Sequence, residues 1–164
     1  MKEMIKERIE KLREKMREEG VTAYLIVSDD FHGSEYVCDY FKCREYLSGF
    51  TGSAGTMVVT GTEVKLWTDG RYFLQAKEQL KGTGIELMKM GEKGVPTVQE
   101  YLADILKEGD SLGYDGRTIR AGYANIIKSE LKDNKIVYKE NIDLVGEIWE
   151  DRPEFPKASV WVLK

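Results

Sequence analysis

The feature that most constrains the fold of this 164-residue chain is a short run, Ala23 to Val27, with an apolar side chain at every position. Successive side chains of a strand point to opposite faces, so this run predicts a strand covered on both faces, as in the middle of an α/β sheet. It is the longest apolar run in the chain, whereas a membrane-spanning helix needs about 20 residues. We therefore expect no membrane span and, from the charged N-terminal residues, no secretory signal.

Helical and strand patterns alternate along the rest of the chain. The patterns predict helices over residues 1–19, 72–80, 97–109, 121–131 and 142–149, and further strands over residues 56–60, 64–68, 85–90, 111–114 and 135–139. Thr97 and Glu100 form a capping box at the start of the third helix, and Gly109 is expected to end it. The fourth helix is predicted to turn four side chains inward: Tyr123, Ile126, Ile127 and Leu131. The fold class is therefore α/β, with a mixed β-sheet flanked by helices on both faces.

The length and the C-terminal residues indicate how the chain is divided. A chain of 164 residues suits one domain with a single core, and we assign residues 1–150 to it. Pro153 and Pro156 hold the backbone extended, and a strand-like run follows at residues 158–163. Residues 151–164 are therefore predicted to form a proline-containing linker and the start of a truncated following domain.

Composition excludes several classes of function. The only histidine, His32, cannot supply metal sites that need two or three histidines. The 25 basic and 29 acidic residues give a net charge of −4, which does not attract phosphates, so we predict no nucleic-acid partner. Two cysteines are too few for a disulfide framework, which favours a reducing, cytoplasmic location.

The strands at residues 56–60 and 64–68 are predicted to form a hairpin with a short loop at Gly61, Thr62 and Glu63. Three glycines in the segment before this hairpin could be mistaken for a phosphate-binding loop. Gly49, Gly52 and Gly55 have neither the GxGxxG nor the P-loop spacing, and they lead into a strand rather than a helix. We interpret them as a loop that needs positive φ angles or a close backbone approach.

His32, Cys38 and Cys43 could be imagined as three zinc ligands. The sequence offers no clear fourth ligand, and we interpret the cysteines as small core residues. His32 is also close to Ser34 and Glu35, but three neighbours in an extended segment cannot all converge as a nucleophile set. A structural role, or support of nearby residues, is the simpler interpretation for these three.

Arg71 is the strongest candidate for ligand contact. It follows the turn signal Asp69-Gly70, where a predicted strand passes into a predicted helix, and its guanidinium can bind carbonyl or carboxylate oxygens in a bidentate manner. The alternative is a surface arginine that pairs with Asp69 and contributes little. The residues alone leave both interpretations open.

The same segments resemble the N-terminal domain of Xaa-Pro aminopeptidases (aminopeptidase P) of the creatinase/prolidase-like metallopeptidases, and in particular the three-domain type. The resemblance covers nearly the whole chain in order, and its motifs are DFHGSEY, Arg44, SGFTGSAG, LWTDGRYFLQA, MKMG, Pro96-Thr97 and NIDLVGEIWEDRPEFP.

The resemblance implies a creatinase-type N-terminal domain with a ribonuclease H-like motif. It implies that the parent removes the N-terminal residue from peptides with proline at the second position, using two divalent metals, usually manganese, held in a missing C-terminal domain. This fragment is then inactive alone and has no catalytic or metal-binding residue. By the same resemblance, Arg71 contacts the substrate. Four further motif residues have a structural or supporting role: Asp69, His32, Ser34 and Glu35. The resemblance also implies that the full-length protein forms a homodimer.

The alternative is a stand-alone protein-interaction module with no role in peptide hydrolysis. It predicts an exposed aromatic patch formed by Phe31, Tyr36, Tyr40 and Phe41.

Overall fold

A computed structural model describes residues 1–159 and 161–162. The helices are α1 (Lys2–Glu18), α2 (Cys43–Ser48), α3 (Phe73–Gln79), α4 (Val98–Ile105), α5 (Ala121–Glu130) and α6 (Leu144–Ile148), with a 3₁₀ turn at Asp39–Phe41. The strands are β1 (Ala23–Ile26), β2 (Thr56–Thr60), β3 (Val64–Thr68), β4 (Glu86–Lys89), β5 (Ser111–Tyr114) and β6 (Val137–Lys139).

The six strands form one mixed sheet in the order β4-β3-β2-β1-β5-β6. Strand β2 is antiparallel to both of its neighbours, and the other pairs are parallel. β1 is central, with Ala23 opposite Thr60 on one side and Leu112 on the other. Five strands therefore end at the same edge, which we call the carboxyl edge, and β2 begins there.

Two apolar layers cover the two faces of this sheet, as the apolar run at β1 predicts. One joins the sheet to α1, α2, α3 and α6, and the other joins it to α4 and α5. Alternate residues of β1 serve the two layers: Tyr24 and Ile26 face the first, and Ala23 and Leu25 face the second. The predicted mixed sheet with helices on both faces is confirmed.

The apolar stripe of α1 and the capping box of α4 are found at the residues where the sequence predicts a helix. The buried side chains of α1 are spaced by three or four residues and form one stripe: Ile5, Ile9, Leu12 and Met16. At α4, the Thr97 side chain accepts the Glu100 backbone N–H while the Glu100 side chain accepts the Thr97 backbone N–H.

Three local predictions are corrected. Helix α4 ends at Ile105 rather than at Gly109, because Leu106 turns to an extended conformation and is fully buried. Ile126 is 53% exposed, since the buried face of α5 passes through Ile127. The segment between β1 and β2, for which no helix was predicted, contains helix α2, whose buried residues include Arg44.

The C-terminal residues leave the last helix without regular structure. Residues 152–159 form neither helix nor strand, and residues 161–162 do not either. The strand-like run predicted at residues 158–163 lies in part outside the described residues, at positions 160 and 163. In the described part of the chain, no helix is both long enough and apolar enough to cross a membrane.

Candidate substrate-contact site at the carboxyl edge

The loops at the carboxyl edge bring the sequence motifs together. The loop after β1 carries DFHGSEY, the loop before β2 carries SGFTGSAG, and the turn after β3 carries Asp69-Gly70-Arg71. Because β2 runs opposite to its neighbours, its incoming loop meets the outgoing loops of β1 and β3. Loops at this edge are the usual position of ligand sites in α/β sheets.

Asp69 holds Arg71 in a fixed orientation. The Asp69 Oδ1 accepts the Arg71 backbone N–H at 3.0 Å and the Nε–H at 3.0 Å, and the Oδ2 accepts from Nη2 at 2.9 Å. The Arg71 side chain is nevertheless 61% exposed. The hydrogen bonds to Asp69 raise the pKa of Arg71, and those from Arg71 lower the pKa of Asp69. Both residues therefore stay charged and paired.

The same turn occurs a second time, which the sequence analysis missed. After β5, Asp115 accepts the backbone N–H, Nε–H and Nη2–H of Arg117 at 3.1, 2.9 and 2.8 Å. This arginine is tied further, to Asp143 at 3.2 Å and against the Phe31 ring at 5.1 Å. The repeated Asp-Gly-Arg triplet after a strand was the signal available in the sequence.

Asp30 organises the DFHGSEY loop. Its Oδ1 accepts the backbone N–H groups of His32 at 2.8 Å and Ser34 at 3.0 Å. Hydrogen bonding from Ser34 lowers the pKa of the Asp30 carboxyl to about 2. The His32 residue itself is exposed. The structure thus brings His32 and Ser34 to one carboxylate through their backbones.

Two adjoining cavities of about 370 and 390 Å³ open between these loops. Ser28, Glu35 and Ser53 line both of them, and Tyr72 lines the first. Arg71 lines neither, so it lies beside the cavities while its neighbour Tyr72 forms part of the wall. The Tyr72 hydroxyl is hydrogen-bonded to the Ser53 hydroxyl at 2.7 Å, which lowers the pKa of Tyr72.

Arg44 lies beneath the glycine-rich loop. It is 5% exposed, its Nη2 donates to the Gly52 carbonyl, and its guanidinium packs on the Phe50 ring at 4.7 Å. Its Nε and Nη1 find no acceptor in the described part of the chain, and burial lowers the pKa of the guanidinium to about 10. An added Cβ at Gly55 would lie 3.2 Å from Arg44 Nη1 and 3.1 Å from the Trp67 carbonyl oxygen, which favours glycine at that position.

The predicted aromatic patch is partly covered by the chain itself. Phe155 contacts the rings of Phe31, Tyr40 and Phe41 at centroid distances of 5.8, 5.6 and 5.9 Å. Phe41 is buried, and only Tyr36 is strongly exposed, at 77%. The patch is therefore packed together in part by the chain itself, while Phe31, Tyr36 and Phe155 remain 40%, 77% and 44% exposed.

Arg152 ties the C-terminal segment to the same loop. Its Nη1 donates to Asp143 at 2.5 Å, its Nε donates to the Tyr40 carbonyl at 2.9 Å, and its guanidinium lies over the Tyr40 ring at 3.9 Å. Nη2 lies 3.5 Å from the sulfur of Cys43, and burial raises the pKa of that thiol to about 12. Cys43 therefore packs as a protonated thiol against the core.

The chemistry offered by this edge is binding and orientation. Arg71, the Ser and Tyr hydroxyls and Glu35 provide donors and acceptors around the cavities. Within residues 1–159 and 161–162, no group of three or more His, Cys, Asp or Glu side chains is placed to hold a metal ion.

Comparison with known proteins gives the family. The model for the creatinase/prolidase N-terminal domain matches residues 8–152. Aminopeptidase P2 of Arabidopsis thaliana is 44% identical over 164 aligned residues, which cover 97% of this chain and 23% of the plant protein. The chain thus spans about a quarter of the length of such relatives.

Solved structures agree with this match. The X-prolyl aminopeptidase of Caenorhabditis elegans, described as a cytosolic enzyme with a di-nuclear active site, superposes with a TM-score of 0.83 at 37% identity, covering 90% of this chain and 26% of the enzyme. The N-terminal domain of a cytoplasmic peptidase from Mycobacterium tuberculosis gives 0.62 at 25% identity, covering 87% of this chain and 98% of that one. The chain therefore belongs to the creatinase/prolidase N-terminal domain family.

Proposed function

We propose that this chain is the non-catalytic N-terminal domain of an Xaa-Pro aminopeptidase, which removes the N-terminal residue from peptides with proline at the second position. The proposal rests on the share of each protein that is aligned. Nearly all of this chain aligns with about a quarter of the plant aminopeptidase and of the worm enzyme. The domain accordingly contributes packing and substrate contact, and the rest of the parent performs the hydrolysis.

The two divalent metals, for which we propose manganese, belong in the C-terminal catalytic domain of the parent. The worm enzyme is described as having a di-nuclear active site. The residues described here do not fit such a pair, because no three acidic, histidine or cysteine side chains among them are placed around a common point. We therefore assign no step of the reaction to a metal held by this domain.

Arg71 is the proposed substrate-contacting residue. Proline at the second position has no backbone N–H to donate, so recognition of the peptide must use its shape and its carbonyl oxygens. An exposed guanidinium on a rigid turn at the carboxyl edge is suited to donating hydrogen bonds to such an oxygen. Glu35, Ser34 and the cavity hydroxyls would support this surface without performing chemistry.

Domain packing and a homodimer complete the proposal. Tyr36 and Leu74, which are 77% and 83% exposed, provide apolar surface for such contacts. A stand-alone interaction module is less well supported, because Phe155 fills part of the aromatic patch that it predicted. We further propose a cytoplasmic location, as described for the worm enzyme.

Two assays test this function. The purified 164-residue chain, incubated with Mn²⁺ and an Xaa-Pro peptide, is expected to show no hydrolysis. In the protein encoded by the complete reading frame, Arg71→Ala is expected to lower kcat/KM by about ten-fold or more with unchanged metal content, because a charged hydrogen bond is lost. Arg17→Ala, an exposed arginine at the opposite edge of the sheet, is the control and should leave kcat/KM unchanged.

Hydrolysis by the 164-residue chain alone would overturn the non-catalytic assignment. Unchanged peptide kinetics in Arg71→Ala would remove Arg71 from substrate contact.

A further inference from the structure

We propose that Asp69 is a specificity-determining residue. By pairing with Arg71, it would make this part of the carboxyl edge accept an uncharged peptide carbonyl instead of selecting a free C-terminal carboxylate. This inference rests on the function proposed above, since it concerns how Arg71 meets a peptide.

The geometry divides the five N–H groups of Arg71 into two sets. Asp69 takes the Nε–H and one Nη2–H, at 3.0 and 2.9 Å. The two Nη1–H groups and the second Nη2–H have no acceptor in the described part of the chain, and the side chain is 61% exposed. The guanidinium therefore presents its outer end, with two parallel N–H groups, to solvent.

The second Asp-Gly-Arg turn indicates that this arrangement is encoded locally. At Asp115 and Arg117 the same three hydrogen bonds form within 0.1 Å of the same lengths. Arg117, however, also donates from Nη2 to Asp143 and packs on Phe31, so fewer of its N–H groups remain for a ligand. The first turn, at Asp69, leaves more of its guanidinium available.

Charge then decides which ligand is preferred. A lone guanidinium attracts a carboxylate more strongly than a neutral carbonyl, because the Coulomb attraction adds to the hydrogen bonds. Here the Asp69 carboxylate cancels the charge of Arg71 at hydrogen-bond distance. The Glu35 carboxylate adds further negative potential, and the Tyr72 ring, 5.3 Å from the guanidinium carbon, is uncharged. The site therefore donates hydrogen bonds while exerting little net attraction for an anion.

The test compares free-acid and C-terminal amide forms of Xaa-Pro peptides of three to five residues in the protein from the complete reading frame. Asp69→Asn keeps an oxygen that can accept the Arg71 backbone N–H but removes the charge. We expect Asp69→Asn to raise the ratio of kcat/KM for the free-acid peptide to kcat/KM for the amide peptide by about three- to ten-fold at one or more peptide lengths. Added salt should make this change in the ratio smaller. Asp69→Glu restores the charge and should return the ratio towards the wild-type value.

Asp104→Asn is the control, because it removes one exposed negative charge from the far end of α4 and should not change the ratio. A second measurement uses the 164-residue chain. The Arg71 Nε–H resonance is followed by NMR during titration with acetate and with N-methylacetamide. Asp69→Asn should strengthen the response to acetate relative to N-methylacetamide.

The outcomes separate this inference from the proposed function. An unchanged acid-to-amide ratio in Asp69→Asn, with Arg71→Ala still lowering kcat/KM, overturns the role of Asp69 and leaves the proposed function intact. A lower acid-to-amide ratio in Asp69→Asn than in the wild type also overturns the role of Asp69. If Arg71→Ala has no effect on peptide kinetics, the substrate contact fails and this inference fails with it.

Discussion

Single residues set the shape of the glycine-rich loop that borders both cavities. Gly49 adopts a φ of +70°, which favours glycine. At Gly52 the constraint is space, because an added Cβ would lie 2.3 Å from Phe50 Cζ and 2.9 Å from Tyr72 Cδ1. The positive φ at Gly49 and the close approach at Gly52 are the two conformational features that the sequence analysis expected of this loop.

Gly52→Ala is expected to destabilise the chain by about 1–3 kcal/mol, because the methyl group must displace two packed aromatic rings. Gly61→Ala, in the β2–β3 hairpin loop, is the matched control: an added Cβ there meets nothing within 4 Å. Urea unfolding of the two variants measures the difference. Equal midpoints would contradict the close approach at Gly52.

At the scale of elements, α5 shows how a small error in assigning a helix face changes a residue's role. Ile127 is 1% exposed and packs beneath the helix, whereas Ile126 is 53% exposed. Neighbouring residues on a helix differ in direction by about 100°, so both cannot face the core equally. The sequence predicted that both were inward because both are apolar.

We expect Ile127→Ala to lower the free energy of unfolding by about 2–5 kcal/mol, since it removes a fully enclosed side chain. Ile126→Ala, an identical change one residue earlier, should alter it by less than about 0.5 kcal/mol. Thermal or urea unfolding of the two variants measures both changes in the free energy of unfolding. A larger loss at Ile126 would show that the helix presents a different face to the sheet.

For the whole molecule, one long-range connection outside the sheet is the return of the C-terminal segment to the loop after β1. Arg152 and Phe155 both contact Tyr40, more than 100 positions away along the chain. Arg152 also shares Asp143 with Arg117. The segment assigned from sequence to the linker therefore begins as part of the domain's packing.

Arg152→Ala should destabilise the domain by about 1–3 kcal/mol, because a largely buried guanidinium with several partners is lost. Lys157→Ala is the control, since Lys157 is exposed and its ion pair is with exposed Glu154. Unfolding curves of both variants, recorded by urea titration with tryptophan fluorescence, measure the effect. A wild-type midpoint for Arg152→Ala would mean that the C-terminal segment is not held by this residue.

Most of the fold could be predicted because its signals are local. Short, mostly apolar runs mark the strands, the Thr97–Glu100 pair marks the start of α4, and the turn at Gly61 marks the hairpin. Helix α2 was not predictable in this way, because its buried face includes Arg44 and Ser48, which sequence patterns treat as polar surface. At the site, Asp69 and Arg71 were identified, but the second Asp-Gly-Arg turn was not.

The amino-acid sequence by itself determined the α/β class, the position of the doubly covered β1 strand and the family motifs, since each depends on residues close together in the chain. Only the tertiary structure decided what the motif residues contact. The antiparallel direction of β2 brings the loop of residues 49–55 beside Tyr72, and the return of Phe155 partly covers the aromatic patch. These are contacts between distant segments, whose geometry depends on how the elements pack and not on any local pattern.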